Sequence, residues 1–223
     1  MLIPRPAQAL LGPGGNIQQY RSLADLLDGH HQQTQSLTGV PKCQQVVAYD
    51  AGFAALTVTG DVYSWGDERY AACLGRDVSA EDVPADQPAL VTALQDLPTG
   101  PISKIAAGGY MLAALTSGND LYLWGGHPGR KAIVADVADE PMPMDIDGRD
   151  IADVAIGESH LVVLTVDGDV FVIGDNTNGQ LGLPDRSVVS WTQVKLDLQG
   201  GRRAVGVAAG PKSTLIIVQE KAT

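Results

Sequence analysis

The stretch Gly157-Glu158-Ser159-His160-Leu161 sets a serine hydroxyl beside an imidazole, the pairing that nucleophilic hydrolysis uses. The nucleophile-elbow glycine that would expose such a serine is absent. Neighbouring residues on a strand also point to opposite faces. A hydrolase is therefore the least favoured reading, and His160 is expected to be a hydrogen-bonded structural residue. His30-His31 offers two imidazoles without a third ligand, so a polar linker is expected there. Asp145-Ile146-Asp147-Gly148-Arg149-Asp150 lacks both the spacing before its glycine and the closing glutamate of a calcium loop. It reads as a turn. No P-loop, dinucleotide G-x-G-x-x-G or H-E-x-x-H occurs. Neither a cofactor nor a metal is expected, and the chain is read as a non-enzyme.

Recognition chemistry is better represented. Three long, mutually dissimilar segments, 67–88, 126–140 and 175–190, have the character of binding loops mounted on a rigid frame. Glu68-Arg69-Tyr70, His127 with Arg130-Lys131, and Asn176 are their candidate partner-binding residues. Tyrosine and arginine are frequent anchors of protein interfaces. The formal net charge is −11, from 15 basic and 26 acidic residues. Such a chain repels phosphate backbones, which argues against nucleic acid and anionic membrane as partners. A protein partner is expected. No run approaches the roughly 18 apolar residues of a membrane span. Pro4, Pro6 and Pro13 interrupt the start, so no secretion signal is read there. Cys43 and Cys73 are too few for a disulfide framework. A cytoplasmic location is expected, with the nucleus as the alternative.

The loops must hang from something, and the chain repeats it. Ala55-Leu56-Thr57-Val58-Thr59-Gly60-Asp61-Val62-Tyr63-Ser64-Trp65-Gly66 returns as Ala114 to Gly125 and again as Val163 to Gly174. In each copy a leucine (Leu56, Leu115, Leu164) stands nine residues before Trp65, Trp124 or Ile173, and Gly66, Gly125 or Gly174 closes the copy. The leucines lie 59 and then 49 residues apart, the mark of a repeat architecture. Each copy reads as a β-hairpin around a Gly/Asn/Asp turn. An apolar strand ending in small residues precedes it, as at Val46–Tyr49, Ile105–Gly109, Val154–Gly157 and Val207–Gly210. A fourth strand follows at Ala89–Val91, Met142–Met144 and Trp191–Val194, and Pro143 marks its strand as an edge. Four short strands per unit make a propeller blade. The exchange of Trp for Ile at one repeated position indicates packing rather than ligand stacking.

The third unit, Gly157-Glu158-Ser159-His160 through Leu164-Thr165 and on to Gly174-Asp175-Asn176-Thr177-Asn178-Gly179-Gln180-Leu181-Gly182, resembles the repeat of the regulator of chromosome condensation family. The resemblance covers roughly residues 45–218. It implies a β-propeller, seven-bladed in the family. The family's members include an exchange factor for the small GTPase Ran, ubiquitin-ligase modules and a bacterial β-lactamase inhibitor, so function is implied far less than fold. The first unit departs from the pattern at Asp50 and Ala51. The second has Tyr110 in place of the histidine and no G-Q-L-G ending, of which the first keeps Cys73-Leu74-Gly75.

The expected fold is all-β, with about three and a half propeller blades in an open array. A leader, 1–44, precedes units at about 45–102, 103–151, 152–203 and a half-unit 204–223. No further copy is read in the leader. It is expected to be loop-rich, with a short helix capped by Ser22, and its only plausible strand is Asn16–Tyr20. A ring of seven such units needs roughly 350 residues, so at least one open strand edge is expected. The expected function is a non-enzymatic protein-interaction scaffold. The alternative is a nucleotide-exchange factor or regulator of a small GTPase, and self-association is a further candidate partnership.

Overall fold

The computed structural model describes residues 8–28, 35–37, 39–78, 83–135, 137 and 139–220. His30 and His31 lie outside the described residues. Three four-stranded antiparallel sheets follow one another along the chain. The first holds β4 (Cys43–Tyr49), β5 (Gly52–Thr57), β6 (Val62–Gly66) and β7 (Ala89–Leu90). The second holds β8 (Ile102–Gly108), β9 (Met111–Thr116), β10 (Leu121–Gly125) and β11 (Met142–Met144). The third holds β12 (Ile151–Ile156), β13 (His160–Thr165), β14 (Val170–Asp175) and β15 (Ser187–Val194). A two-stranded sheet, β16 (Arg202–Gly210) and β17 (Ser213–Glu220), completes the series. The chain is all-β and its sheets are propeller blades. The strand carrying Pro143 is an outer one, as its missing N–H requires.

The repeated residues have physical reasons. Thr57, Thr116 and Thr165 each accept, through Oγ1, the backbone N–H of the aspartate four residues on, at 2.9–3.0 Å. The turn needs positive φ at Gly60 (92°), Asn119 (73°) and Gly168 (93°), which glycine takes freely and asparagine tolerates. Strands β5, β9 and β13 are buried at all six residues rather than alternately, because each blade is covered on both faces. Trp65, Trp124 and Ile173 face the preceding sheet, whereas Leu56, Leu115 and Leu164 face the following one. Leu115, the most exposed of the six, is 4% exposed.

The first strands of the blades and of the final hairpin converge. The ends of β4, β8, β12 and β16 line a trough of about 530 Å³. Small residues are required there, since a Cβ on Gly108 would lie 2.4 Å from the Ile156 carbonyl oxygen. A β-bulge interrupts each of these four strands just before Gln45, Lys104, Asp153 and Gly206, and the residue after it reaches the next blade. The Gln45 amide donates to Ile105 O (2.7 Å) and accepts from Ile105 N (3.0 Å). Lys104 pairs with Asp153, which also accepts from Val207 N at 3.0 Å. Gly206 has no side chain with which to continue the series.

The leader differs from expectation. The Ser22-capped helix, α1 (Leu23–Leu27), is present. So is a three-stranded sheet of β1 (Gln8–Leu11), β2 (Ile17–Tyr20) and β3 (Gln35–Ser36). Its hairpin is a further copy of the repeated one. Leu11 pairs with Ile17 as Leu56 pairs with Val62. Gly12 N donates to Asn16 O and Gly15 takes φ 78°, as Thr57 N donates to Asp61 O and Gly60 takes φ 92°. Tyr20 occupies the tryptophan position and is buried. This sheet packs on the first blade through Ile17, Leu37, Phe53 and Trp65, and Trp65 Nε1 donates to Gln19 Oε1 at 2.9 Å. The Asn16–Tyr20 strand therefore joins a sheet at the opposite end of the array from β17. Among the described residues, β1 pairs only with β2 and β17 only with β16.

Candidate functional site

Loops from the first two blades meet at one place. After β6, Asp67 caps a 3-10 helix over Glu68–Leu74. Its carboxylate accepts Arg69 N (3.1 Å) and pairs with the Arg69 guanidinium. The far end of this segment is clamped onto the second blade. Cys73 Sγ donates to Tyr110 O (3.2 Å), and Cys73 O accepts from Trp124 Nε1 (3.2 Å). Burial pushes the Cys73 thiol up to about 11, so it remains a protonated donor at neutral pH.

Tyr70, Tyr110 and His127 then pack as three rings. The centroids of Tyr70 and Tyr110 are 4.9 Å apart, and His127 stands edge-on to Tyr110 at 4.6 Å. Arg69 lies over Tyr70 at 5.8 Å and Arg130 over Tyr110 at 5.3 Å. The turn His127-Pro128-Gly129-Arg130 is closed by Arg130 N donating to His127 O and by Gly129 N donating to His127 Nδ1. Beside the rings, the loop after β10 and residues Glu158–Ser159 enclose a cleft of about 110 Å³, floored by Met111, Ile133, Val134 and Val137. Arg130, Lys131 and Glu158 are among the residues that line it.

Five of the residues named from sequence, Arg69, Tyr70, His127, Arg130 and Lys131, thus surround this surface, with Glu68 in the adjoining helical segment. Tyr110 is the residue that sequence reasoning missed as part of the cluster, and it does not stand at the histidine position: the strand register puts Met111 there and makes Tyr110 the equivalent of Ser159. Asn176 is elsewhere and serves its own loop. Its Nδ2 donates to Leu183 O (2.8 Å) and Asp185 O (2.6 Å), and its Oδ1 accepts from Leu181 N (2.8 Å). It is 7% exposed, and its polar atoms are already engaged. In the same loop Thr177 and Gln180 donate to Asp175, and the Thr177 hydroxyl chiefly holds that carboxyl below its usual range. His160 is fully buried, with Nε2 3.0 Å from Thr214 Oγ1, which ties the third blade to β17. Asp145 Oδ1 accepts from Gly148 N at 2.7 Å, closing the turn expected there.

The regulator of chromosome condensation (RCC1) repeat matches residues 151–180 and, in a second form, 167–217. The chain belongs to the RCC1-repeat propeller family. The regulator of chromosome condensation of Mus musculus is 31% identical over 189 residues, covering 79% of this chain and 40% of that relative. The human E3 ubiquitin-protein ligase HERC2 is 31% identical over 169 residues, 74% of this chain and 3% of the ligase. Among solved structures, Prp20p of Saccharomyces cerevisiae, reported with its binding properties to Gsp1p and histones, superposes with a TM-score of 0.71 at 18% identity. That superposition spans 99% of this chain and 55% of Prp20p. This RCC1-repeat chain therefore spans two-fifths of the mouse regulator and about half of the yeast one. His160, Ile173 and Asn176 fall inside the matched repeat, whereas the ring cluster falls outside it. Among the described residues no helix is long and apolar enough to cross a membrane.

Proposed function

We propose that this chain is a non-enzymatic protein-interaction scaffold whose partner-binding face is the loop surface over its first two blades. The observation that supports this reading is the convergence of Arg69, Tyr70, Tyr110, His127 and Arg130, from three separate segments, into one ring-and-guanidinium cluster. Aromatic rings and arginines are the side chains that dominate binding energy at protein interfaces. Ser159 and His160 do not form a nucleophilic pair, because the imidazole is sealed inside its blade against Thr214. A photo-cross-linking residue at Lys131 is expected to give a discrete protein adduct in cells, and one at Thr192 on an outer strand is not. Adducts of equal yield at both positions would remove the assignment.

The alternative, regulation of a small GTPase, is favoured by one observation, the likeness to Prp20p, which is described as binding Gsp1p. Nucleotide exchange needs only differential binding of GTPase states and no chemistry from the scaffold. Purified chain that accelerates nucleotide release from a small GTPase would establish this narrower role. Unchanged release across a panel leaves the scaffold reading.

A further inference from the structure

We propose that the cleft beside the ring cluster is a side-chain pocket for one aliphatic residue of a partner protein's extended, acidic segment, with the adjoining carboxylate held by Arg130 and Lys131. This rests on the scaffold reading and names the chemistry of its partner.

Size sets the first limit. At about 110 Å³ the cleft is well below the roughly 300 Å³ at which small-molecule sites begin. It is close to the engineered apolar cavities, about 150 Å³, that hold a single benzene. One aliphatic side chain fits, and a nucleotide does not. The floor chooses what enters. Met111 and Val134 are buried, and Ile133 and Val137 are half-buried, and these four apolar side chains favour an apolar occupant.

The rim supplies direction. Arg130 and Lys131 are both exposed, and among the described residues neither makes an ion pair. Arg130 is already oriented, because its guanidinium lies over the Tyr110 ring. A stacked guanidinium keeps its in-plane N–H groups free for a carboxylate. Glu158, which also lines the cleft, repels a second carboxylate beside it. The pocket therefore fits an aliphatic residue with an acidic neighbour on one side only.

The test uses the whole chain, ¹⁵N-labelled, titrated with three blocked tetrapeptides, Gly-Leu-Asp-Gly, Gly-Leu-Lys-Gly and Gly-Ser-Asp-Gly. The first is expected to shift the amides of Met111, Val134 and Ser159, with an affinity about tenfold above the other two, the ratio that about 1.4 kcal/mol provides. R130A/K131A is expected to melt like the parent and lose the preference for aspartate over lysine, and Lys131→Glu to invert it. Unmoved Val134 and Ser159 amides, or equal responses to the first two peptides, would overturn the pocket. If Lys131 still cross-links a protein in cells while all three peptides leave these amides unmoved, the pocket falls and the scaffold reading stands. If the cross-link is also missing, both fall.

Discussion

The second and third blades present their long loops at the same point, after β10 and after β14, and use them in opposite ways. The loop beyond β14 is turned inward. Asn176, Gln180 and Asp175 spend their polar atoms on the loop itself, and Leu181 enters the core beside Leu164. The loop beyond β10 has lost those residues. It offers His127, Arg130 and Lys131 to the outside, backed by Tyr110 where the third blade has Ser159. In these two loops, the residues that follow the repeat pattern build frame and those that replace them build surface. A repeat scaffold can vary in this way because each blade buries its apolar faces against its neighbours and leaves the loops outside that core.

The comparison is broken most severely from the frame side. Trp124→Ala is expected to cost about 3–5 kcal/mol, since it opens the seam between the first two blades and leaves Cys73 O without its donor. Leu164→Ala and Ile173→Ala follow at about 2–5 kcal/mol. Urea melts measure all three, and a cost below 1 kcal/mol for any of them would show that these positions are not core.

Acid sharpens the same contrast. Burial holds the His160 imidazole below its ordinary value, outweighing the opposing pull of the Ser213 backbone and the Asp175 carboxylate. The unfolded chain takes up this proton near pH 6.5 and the folded chain only at lower pH. The stabilisation is therefore complete above about pH 6.5 and is lost as pH falls through the folded value. Thermal melts between about pH 7.5 and pH 5 should show the parent losing more stability than His160→Gln. Equal losses would place the acid sensitivity elsewhere.

The hairpins could be read from sequence because their Leu-to-Trp spacing is constant and their Thr–Asp turn bond needs those residue types. The copy in the leader escaped notice for the same physical reason. Gly12 replaces the threonine, so no side chain caps that turn, and Gln18-Gln19 stands where the other copies have Tyr63-Ser64, Tyr122-Leu123 and Phe171-Val172. What survives is the nine-residue step from Leu11 to Tyr20, the turn glycine Gly15 and the apolar Ile17. The bridges between blades were hidden because Gln45, Lys104 and Asp153 share a register position but no chemistry. The ring cluster was named in parts. That Tyr70, Tyr110 and His127 touch follows from how adjacent blades stack, which no local pattern records. That Asn176 spends its polar atoms inside its own loop was not legible either, because a polar loop residue and a loop-building residue look alike in sequence.

The most direct measurement compares one substitution in each loop by guanidinium denaturation. Asn176→Ala removes a side chain that serves three backbone groups, so its midpoint should fall by the equivalent of about 1–3 kcal/mol. R130A/K131A should stay within about 0.5 kcal/mol of the parent, with the same slope for all three proteins. Equal losses for the two variants, or a larger loss for R130A/K131A, would contradict the division of these loops into frame and surface.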